Sequence, residues 1–433
     1  MYSTLRNILS AVLRFLTFIG FKLAPHEKGK SLSVSRNKYG SIKENFEEKF
    51  DFQKINTVEI SLESTADTTV TVEANGEKVY ERTGSENYRF CAFKTIETDK
   101  IKVTVSPKAK IKDVRVSLKT SNDKDFRVTA YFRSDYIQRR SDIDEKFFDI
   151  ITDAILISGV TYDENGNITI DEPIFETAHK NLRDAIGKRK VNVHLTFLGP
   201  GPDSGISDWK AQMKSLSEKN SKAFLNPKLI TGINEVIEKY GFDGIFFDYE
   251  YPIKRKYWAD FEAFLKKLSL STDKKIGLAV SCWNILIGKS GIDTCDMFEF
   301  MQYDRFDKNG NHAPFSLAPE TVERARAFSV DRKKVDFGVP FYARPTDAAG
   351  VWLEYRDYAE KLGFSRDDTE AQCGKVYFNS CQTIYDKTAY ALAYDLGGMM
   401  VWHFNSDIPD AENPLSLFKA IGDCIADRNV KIQ

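Results

Sequence analysis

Two acids stand close together at the end of an apolar run, in Phe242-Asp243-Gly244-Ile245-Phe246-Phe247-Asp248-Tyr249-Glu250-Tyr251-Pro252. Read as a strand, the segment alternates, so Phe246, Asp248 and Glu250 share one face while Ile245, Phe247 and Tyr249 share the other. Carboxyls that lie near each other do not both ionise freely, because one charge raises the pKa of its neighbour. One of the pair can then stay protonated near neutral pH. Glycoside hydrolysis needs such a group, a carboxyl that donates to the leaving oxygen as positive charge develops at the anomeric carbon. A strand-end pair that caps a helix or binds a neighbouring Arg would fit the same spacing.

Such a pair needs a scaffold that opens where the strand ends. From about Phe126 onward short apolar runs alternate with longer amphipathic segments, which is the pattern of strand-helix repeats and a parallel sheet. Eight candidate strands follow: Val128–Phe132, Ala154–Val160, Val191–Phe197, Gly244–Glu250, Ile276–Cys282, Met297–Tyr303, Val335–Tyr342 and Met399–Phe404. Eight units over about 300 residues suit a closed barrel. In a barrel, acids at the C-terminal end of a strand lie at the mouth where catalytic groups collect, whereas deeper acids would be buried away from solvent. A doubly wound open sheet competes, but no GxGxxG turn or Walker loop follows any strand, and no glycine-rich phosphate cradle follows the seventh or eighth.

The expected fold is α/β, a (β/α)8 TIM barrel over residues 126–425 preceded by a small antiparallel β-sandwich over 50–120. The sandwich is read from period-two runs at Val58, Ile60, Leu62; Val70, Val72; Ile101, Val103, Val105; and Val114, Val116, Leu118, with Asn75-Gly76 as a hairpin turn. Such a module binds carbohydrate or serves as a packing spacer. Residues 25–49 are polar and mixed in charge and read as a linker. Residues 1–24 carry Arg6 and an apolar run broken by Arg14 and Lys22, which fits a signal peptide, a membrane anchor or an amphipathic helix. The expected location is therefore secreted or anchored at the cell surface, with the cytoplasm left open.

Composition narrows the chemistry. The chain has 433 residues, 42% hydrophobic and 29% charged, which is ordinary for a folded protein and excludes a mainly disordered one. Lys plus Arg number 62 against 63 Asp plus Glu, so no overall field draws in nucleic acid, and membrane contact is expected only through residues 1–24. A neutral substrate and a monomer are expected. Aromatic residues make up 13%, enough to line a cleft for sugar rings as well as to fill a core. The six cysteines show no CxxC, and the five histidines no HExxH, so neither a metal site nor a cofactor is expected. Cys373 and Cys381 could form one local bridge.

The acid segment resembles the DGxDxDxE signature of glycoside hydrolase family 18, the chitinases and endo-β-N-acetylglucosaminidases, and the likeness runs along the whole barrel. Val128-Thr129-Ala130-Tyr131-Phe132 resembles the family's first strand, Met301-Gln302-Tyr303-Asp304 its MxYD, Gly338-Val339-Pro340-Phe341-Tyr342-Ala343-Arg344 its GxPfYgR, and Gly397-Gly398-Met399-Met400-Val401-Trp402 its GGxMxW. The resemblance implies that Glu250 is the general acid and then the general base. Asp248 would orient the substrate's own 2-acetamido group as that group attacks the anomeric carbon, and Tyr303 would donate to the acetamido oxygen. Trp402 would form the floor under the reacting sugar, with Tyr131, Asp304, Tyr342 and Arg344 as further substrate-binding residues. The implied partner is an oligosaccharide or polysaccharide containing N-acetylglucosamine: chitin oligomers, peptidoglycan or the N-glycan core.

The chain departs from the family at two places. Phe246 stands where the signature has its middle aspartate, so Asp248 has no deeper acid to turn toward. Thr196-Phe197-Leu198-Gly199 replaces the SxGG of the third strand. Between strands seven and eight, residues 345–396 should hold a helix at Glu354–Leu362 and a β-like stretch at Val376–Tyr377. Exo-acting relatives carry a larger insertion here, so a shallower groove and internal cleavage are expected. The competing reading is a glycan-binding lectin on the same barrel, since Phe246 already breaks the signature.

Overall fold

The computed structural model describes residues 31–32, 45–107, 109–121, 125–250, 252, 254–281, 286–346, 351–366, 368 and 370–428. The apolar segment expected over 1–24 lies outside them. The chain divides into two compact units, the first comprising residues 1–122, 316–327 and 426–433, and the second residues 123–315 and 328–425.

In the first unit six antiparallel strands form one hydrogen-bonded sheet. Its two long members, Asn45–Glu63 and Tyr88–Ser106, pair with each other through two register shifts. Bulges of this kind bend a strand and raise its twist. The alternating residues Val58, Ile60, Leu62, Val70, Val72, Ile101, Val103, Val105, Val114 and Val116 gather into one buried core. Asn75 and Gly76 turn the hairpin between Thr68–Ala74 and Glu77–Gly84 with φ of 54° and 86°, the positive values that a tight two-residue turn requires. The linker expected over 25–49 is partly strand: Ser31–Leu32 pairs with Ser117 and Val116, and the first long strand already begins at Asn45. No large aromatic is exposed among the side chains described in this unit.

The second unit is the expected barrel. Its eight parallel strands are Arg127–Arg133, Asp153–Ile157, Asn192–Phe197, Gly244–Asp248, Lys275–Ser281, Met297–Met301, Val335–Pro340 and Gly398–Trp402, closed in sequence order with the eighth beside the first. We call them strands one to eight. Helices follow most of them, but after strand one the chain makes only 3-10 turns at Ser134–Tyr136, Arg140–Asp142 and Glu145–Asp149.

Strand four is aimed by the helix before it. Pro227–Tyr240 starts with Pro227 in its first turn and Asn226 as cap, and ends at Gly241 with φ of 67°, a left-handed position that glycine accepts without steric cost. The chain then enters Asp243, whose carboxylate accepts from the Val193 N–H at 2.8 Å. Gly244 follows because a Cβ there would come 2.4 Å from His194 Nδ1. Farther along, Phe247 and Tyr249 pack outward against Phe261 of the next helix at centroid distances of 5.6 and 4.5 Å. Phe246 points into the barrel and is fully buried.

The N-terminal end of the barrel also holds several acids, all buried. Asp336 accepts from Arg127 Nη2 at 2.6 Å and from Thr129 Oγ1 at 3.1 Å, and Asp153 lies 2.8 Å from His194 Nε2. Each is compensated by a cation, a ring nitrogen or a hydroxyl, which is how buried carboxylates are retained. Glu299 lies in register beside Asp336, and burial with Asp336 nearby pushes its carboxyl far above the usual range.

Two local expectations change between strands seven and eight. The helix expected at Glu354–Leu362 is a 3-10 turn at Tyr355–Asp357 followed by further turns. It is anchored by buried Tyr355, whose hydroxyl donates to the Leu415 carbonyl at 3.1 Å. The β-like stretch is a hairpin of Glu370–Cys373 and Val376–Asn379. Cys373 and Cys381 are free thiols rather than a bridge. Cys381 opens the following helix with its sulfur facing the carbonyls of Leu415 and Pro414, and burial pushes its pKa up to about 12.

Candidate active site

The C-terminal ends of strands four, five, six and eight bring the expected catalytic residues together. Asp248 is the last residue of strand four, and Glu250 stands just beyond it. Ser281, the last residue of strand five, donates from Oγ to Glu250 Oε2 at 2.6 Å. Tyr303 follows strand six, and Trp402 closes strand eight. All belong to the same unit.

The electrostatics separate the two acids from ordinary surface carboxylates. Burial raises the Asp248 pKa well above its usual value, and the neighbouring Glu250 charge raises it further. Glu250 is also raised, by burial first and by Asp304, while the Ser281 hydrogen bond and Arg344 pull the other way. Burial likewise keeps the Tyr303 hydroxyl protonated, reinforced by Tyr342, Tyr131, Asp248 and Glu250. The mouth therefore gathers two carboxyls whose pKa values are raised and a phenolic donor.

Three polar atoms at the mouth are buried and have no hydrogen-bond partner among the described residues: Asp248 Oδ1, Tyr131 Oη and Trp402 Nε1. A buried polar atom left unpaired costs about 1–3 kcal/mol, so these three atoms are open to hydrogen bonds from a ligand or from water. Tyr131 lies beneath, with its ring centroid 5.5 Å from that of Trp402.

The middle position of the acid segment is filled by carbon. Phe246 packs with Tyr131, Ile155, Ile157, Met297 and Met400 in an apolar plug that Tyr303 and Trp402 overlie. Its ring occupies space left by Gly277, its register partner on strand five. A Cβ at Gly277 would lie 2.1 Å from Phe246 Cε1.

A second cluster holds the exits of strands six and seven. Asp304 accepts from the Tyr342 hydroxyl at 2.6 Å and pairs with Arg344 Nε at 2.8 Å. The backbone N–H of Asp304 donates to His312 Nε2 at 3.2 Å, and burial lowers the His312 pKa, leaving a neutral ring. Tyr342 is only 1% exposed, so it supports its neighbours from behind rather than offering a face.

Sequence reasoning missed four contributors: Ser281, His312, Gly277 and Trp352. Trp352 stacks on Tyr342 at 4.6 Å and 17°, and its edge meets Trp402 at 6.1 Å and 87°. Ser281 was open to discovery by counting to the end of strand five. The others are joined to the site only by contacts between distant segments.

Comparison with known proteins finds one family match and the same barrel fold. The model of glycosyl hydrolases family 18 matches residues 127–407. Probable chitinase 2 of Drosophila melanogaster is 29% identical over 212 residues, covering 42% of this chain and 43% of that protein, and the chain spans less than half the length of the curated relatives it matches. The GH18 chitinase ChiB from the chitin utilization locus of Flavobacterium johnsoniae shares the fold with a TM-score of 0.57 at 22% identity, over 71% of this chain and 95% of that one. Human YKL-39, described as a pseudo-chitinase with retained chitooligosaccharide binding properties, shares it with a TM-score of 0.53 at 14% identity, over 70% of this chain and 100% of that one.

Proposed function

The chain belongs to glycosyl hydrolases family 18, and on that footing we propose that it cleaves β-1,4 bonds after N-acetylglucosamine with retention of configuration, using the substrate's own acetamido group as nucleophile. The observation that carries the reading is Asp248 Oδ1, unpaired among the described residues, beside Glu250, whose pKa burial raises. An acetamido N–H is the donor that this buried oxygen lacks.

In the first step the acetamido carbonyl oxygen bonds to the anomeric carbon while the glycosidic bond breaks. The leaving oxygen takes the proton of Glu250, and the positive charge passes to the acetamido group, now closed into an oxazolinium ring. Asp248 stabilises its N–H, and Tyr303 donates to the acetamido oxygen. In the second step water attacks the anomeric carbon, gives its proton to the Glu250 carboxylate and reopens the ring.

Wild type and Glu250→Gln, incubated with N-acetylglucosamine oligomers, peptidoglycan fragments and a high-mannose N-glycopeptide, test this by mass spectrometry. Cleavage by the wild type should fall by at least about 10²-fold in the variant, the usual contribution of a positioned acid-base group. Binding by both proteins without cleavage by either would install the second reading, a glycan-binding barrel. Phe246 at a signature position is the observation that favours that reading.

A further inference from the structure

We propose that Trp352 and the cavity beside it form an additional carbohydrate subsite, continuous with the barrel mouth, that takes a further ring of the same β-linked glycan. The inference rests on the function proposed above and says where the glycan continues.

Trp352 is 40% exposed, yet it is held from several sides. Tyr342, itself pinned by Asp304, stacks against it, Trp402 meets its edge, and the Arg344 guanidinium lies 4.9 Å from its ring centroid. An indole fixed in place while still facing water offers a large apolar surface at little further entropic cost, which suits the C–H face of a pyranose. Its contact with Trp402 makes it continuous with the floor on which the reacting sugar is proposed to sit.

The space beyond Trp352 is a cavity of about 600 Å³ lined by Trp352, Leu353, Glu354, Asp357, Lys361 and Leu362 among others, within the range of small-ligand sites. Apolar surface from Trp352 and Leu362 stands beside two acids and one amine. That mixture of donors and acceptors carries no strong charge of one sign. It suits a neutral polyhydroxyl ligand better than a phosphate or a carboxylate.

The test uses the full chain with Glu250→Gln as a parent that binds without cleaving, titrated calorimetrically with N-acetylglucosamine oligomers of increasing length. Adding Trp352→Ala should weaken the longest oligomers by about five- to tenfold, the scale of one lost ring contact, with the loss growing with oligomer length. Adding Trp352→Phe should restore most of the affinity, because a ring face is what the site needs. Leu270→Ala, at a side chain 82% exposed after the helix Arg255–Ser269, should match the parent at every length. Equal affinity of the parent and the Trp352→Ala form for long oligomers, or a loss of the same size at every length, would overturn the subsite while leaving the hydrolase reading in place. If the parent binds no oligomer and the wild type cleaves none, both fall together.

Discussion

Replacing Gly277 by alanine should destabilise the barrel, although glycine inside a strand is normally the weaker choice. The new Cβ would stand 2.1, 2.3 and 2.5 Å from Cε1, Cζ and Cδ1 of Phe246, where carbon atoms in contact rest at about 3.5–4.0 Å. The ring edge must therefore retreat by about 1.4 Å to restore ordinary contact. It has little room to do so. Phe246 is fully buried, its centroid is 4.9 Å from that of His194, and the residues of the plug surround it. Overpacking of this kind costs about 1–3 kcal/mol, against about 0.5–1 kcal/mol that alanine would contribute by relieving the strand of glycine. The sign of the net change is therefore set by the Phe246 contact. Urea unfolding of Gly277→Ala, followed by aromatic circular dichroism, should show a lower midpoint than wild type. Combining it with Phe246→Leu should recover stability, with a coupling of at least about 1 kcal/mol in the double-mutant cycle. Activity reports the same contact independently, because Asp248 lies two residues along on the face that Phe246 occupies. A displacement approaching 1 Å at a reacting group lowers turnover by about 10²-fold, so kcat should fall more than KM rises. A Gly277→Ala protein as stable as wild type, with effects that simply add to those of Phe246→Leu, would refute the complementarity argued here.

Ser281→Ala removes the hydrogen bond that favours ionised Glu250, so the acid pKa should rise and the alkaline limb of the kcat/KM profile should move up by about one pH unit, the equivalent of one charge-assisted bond. A limb that stays in place or moves down would show that another group sets it. Arg127→Met strips the cation from Asp336 within a pocket that also holds Glu299 and Asp153, and should lower stability by about 3–5 kcal/mol. Adding Asp336→Leu should recover much of the loss, since an apolar pair of similar bulk is tolerated where a lone buried charge is not; urea midpoints of the two proteins decide it.

The eight barrel strands are legible because strands buried on both faces read as continuous apolar runs, and each observed strand overlaps the run expected for it. The ends are less legible. Glu250, Tyr303 and Tyr342 lie past the last ladder residues Asp248, Met301 and Pro340, where the chain leaves the sheet and alternation no longer governs direction. The turn at Tyr355–Asp357 has helical composition but is held by the tertiary bond from Tyr355 to Leu415, which no local pattern announces. Trp352 lies in a loop with no local pattern around it, and only the fold sets it against Tyr342 and Trp402. Asp153, Glu299 and Asp336 stand in three separate strands, and the barrel is what brings His194 to Asp153 and Arg127 to Asp336.

Phe246 bears on whether the barrel cleaves or only binds. A phenylalanine placed in the signature with no space made for it would push Asp248 off its position and leave a damaged site. The space is made, because Gly277 is the register partner and presents no side chain to the ring. The plug that results lies between the charged cluster around Asp336 and the mouth, so Asp248 rests on apolar surface and has no deeper acid in strand four to turn toward. Its remaining electrostatic neighbour of consequence is Glu250. The pair that would do the chemistry is thus intact, desolvated and supported from below, with Ser281 holding one acid and an oxygen of the other unpaired among the described residues. A site that only bound glycan would need the aromatic floor. It would have no use for a hydroxyl that orients an acid, and this arrangement weighs in favour of cleavage.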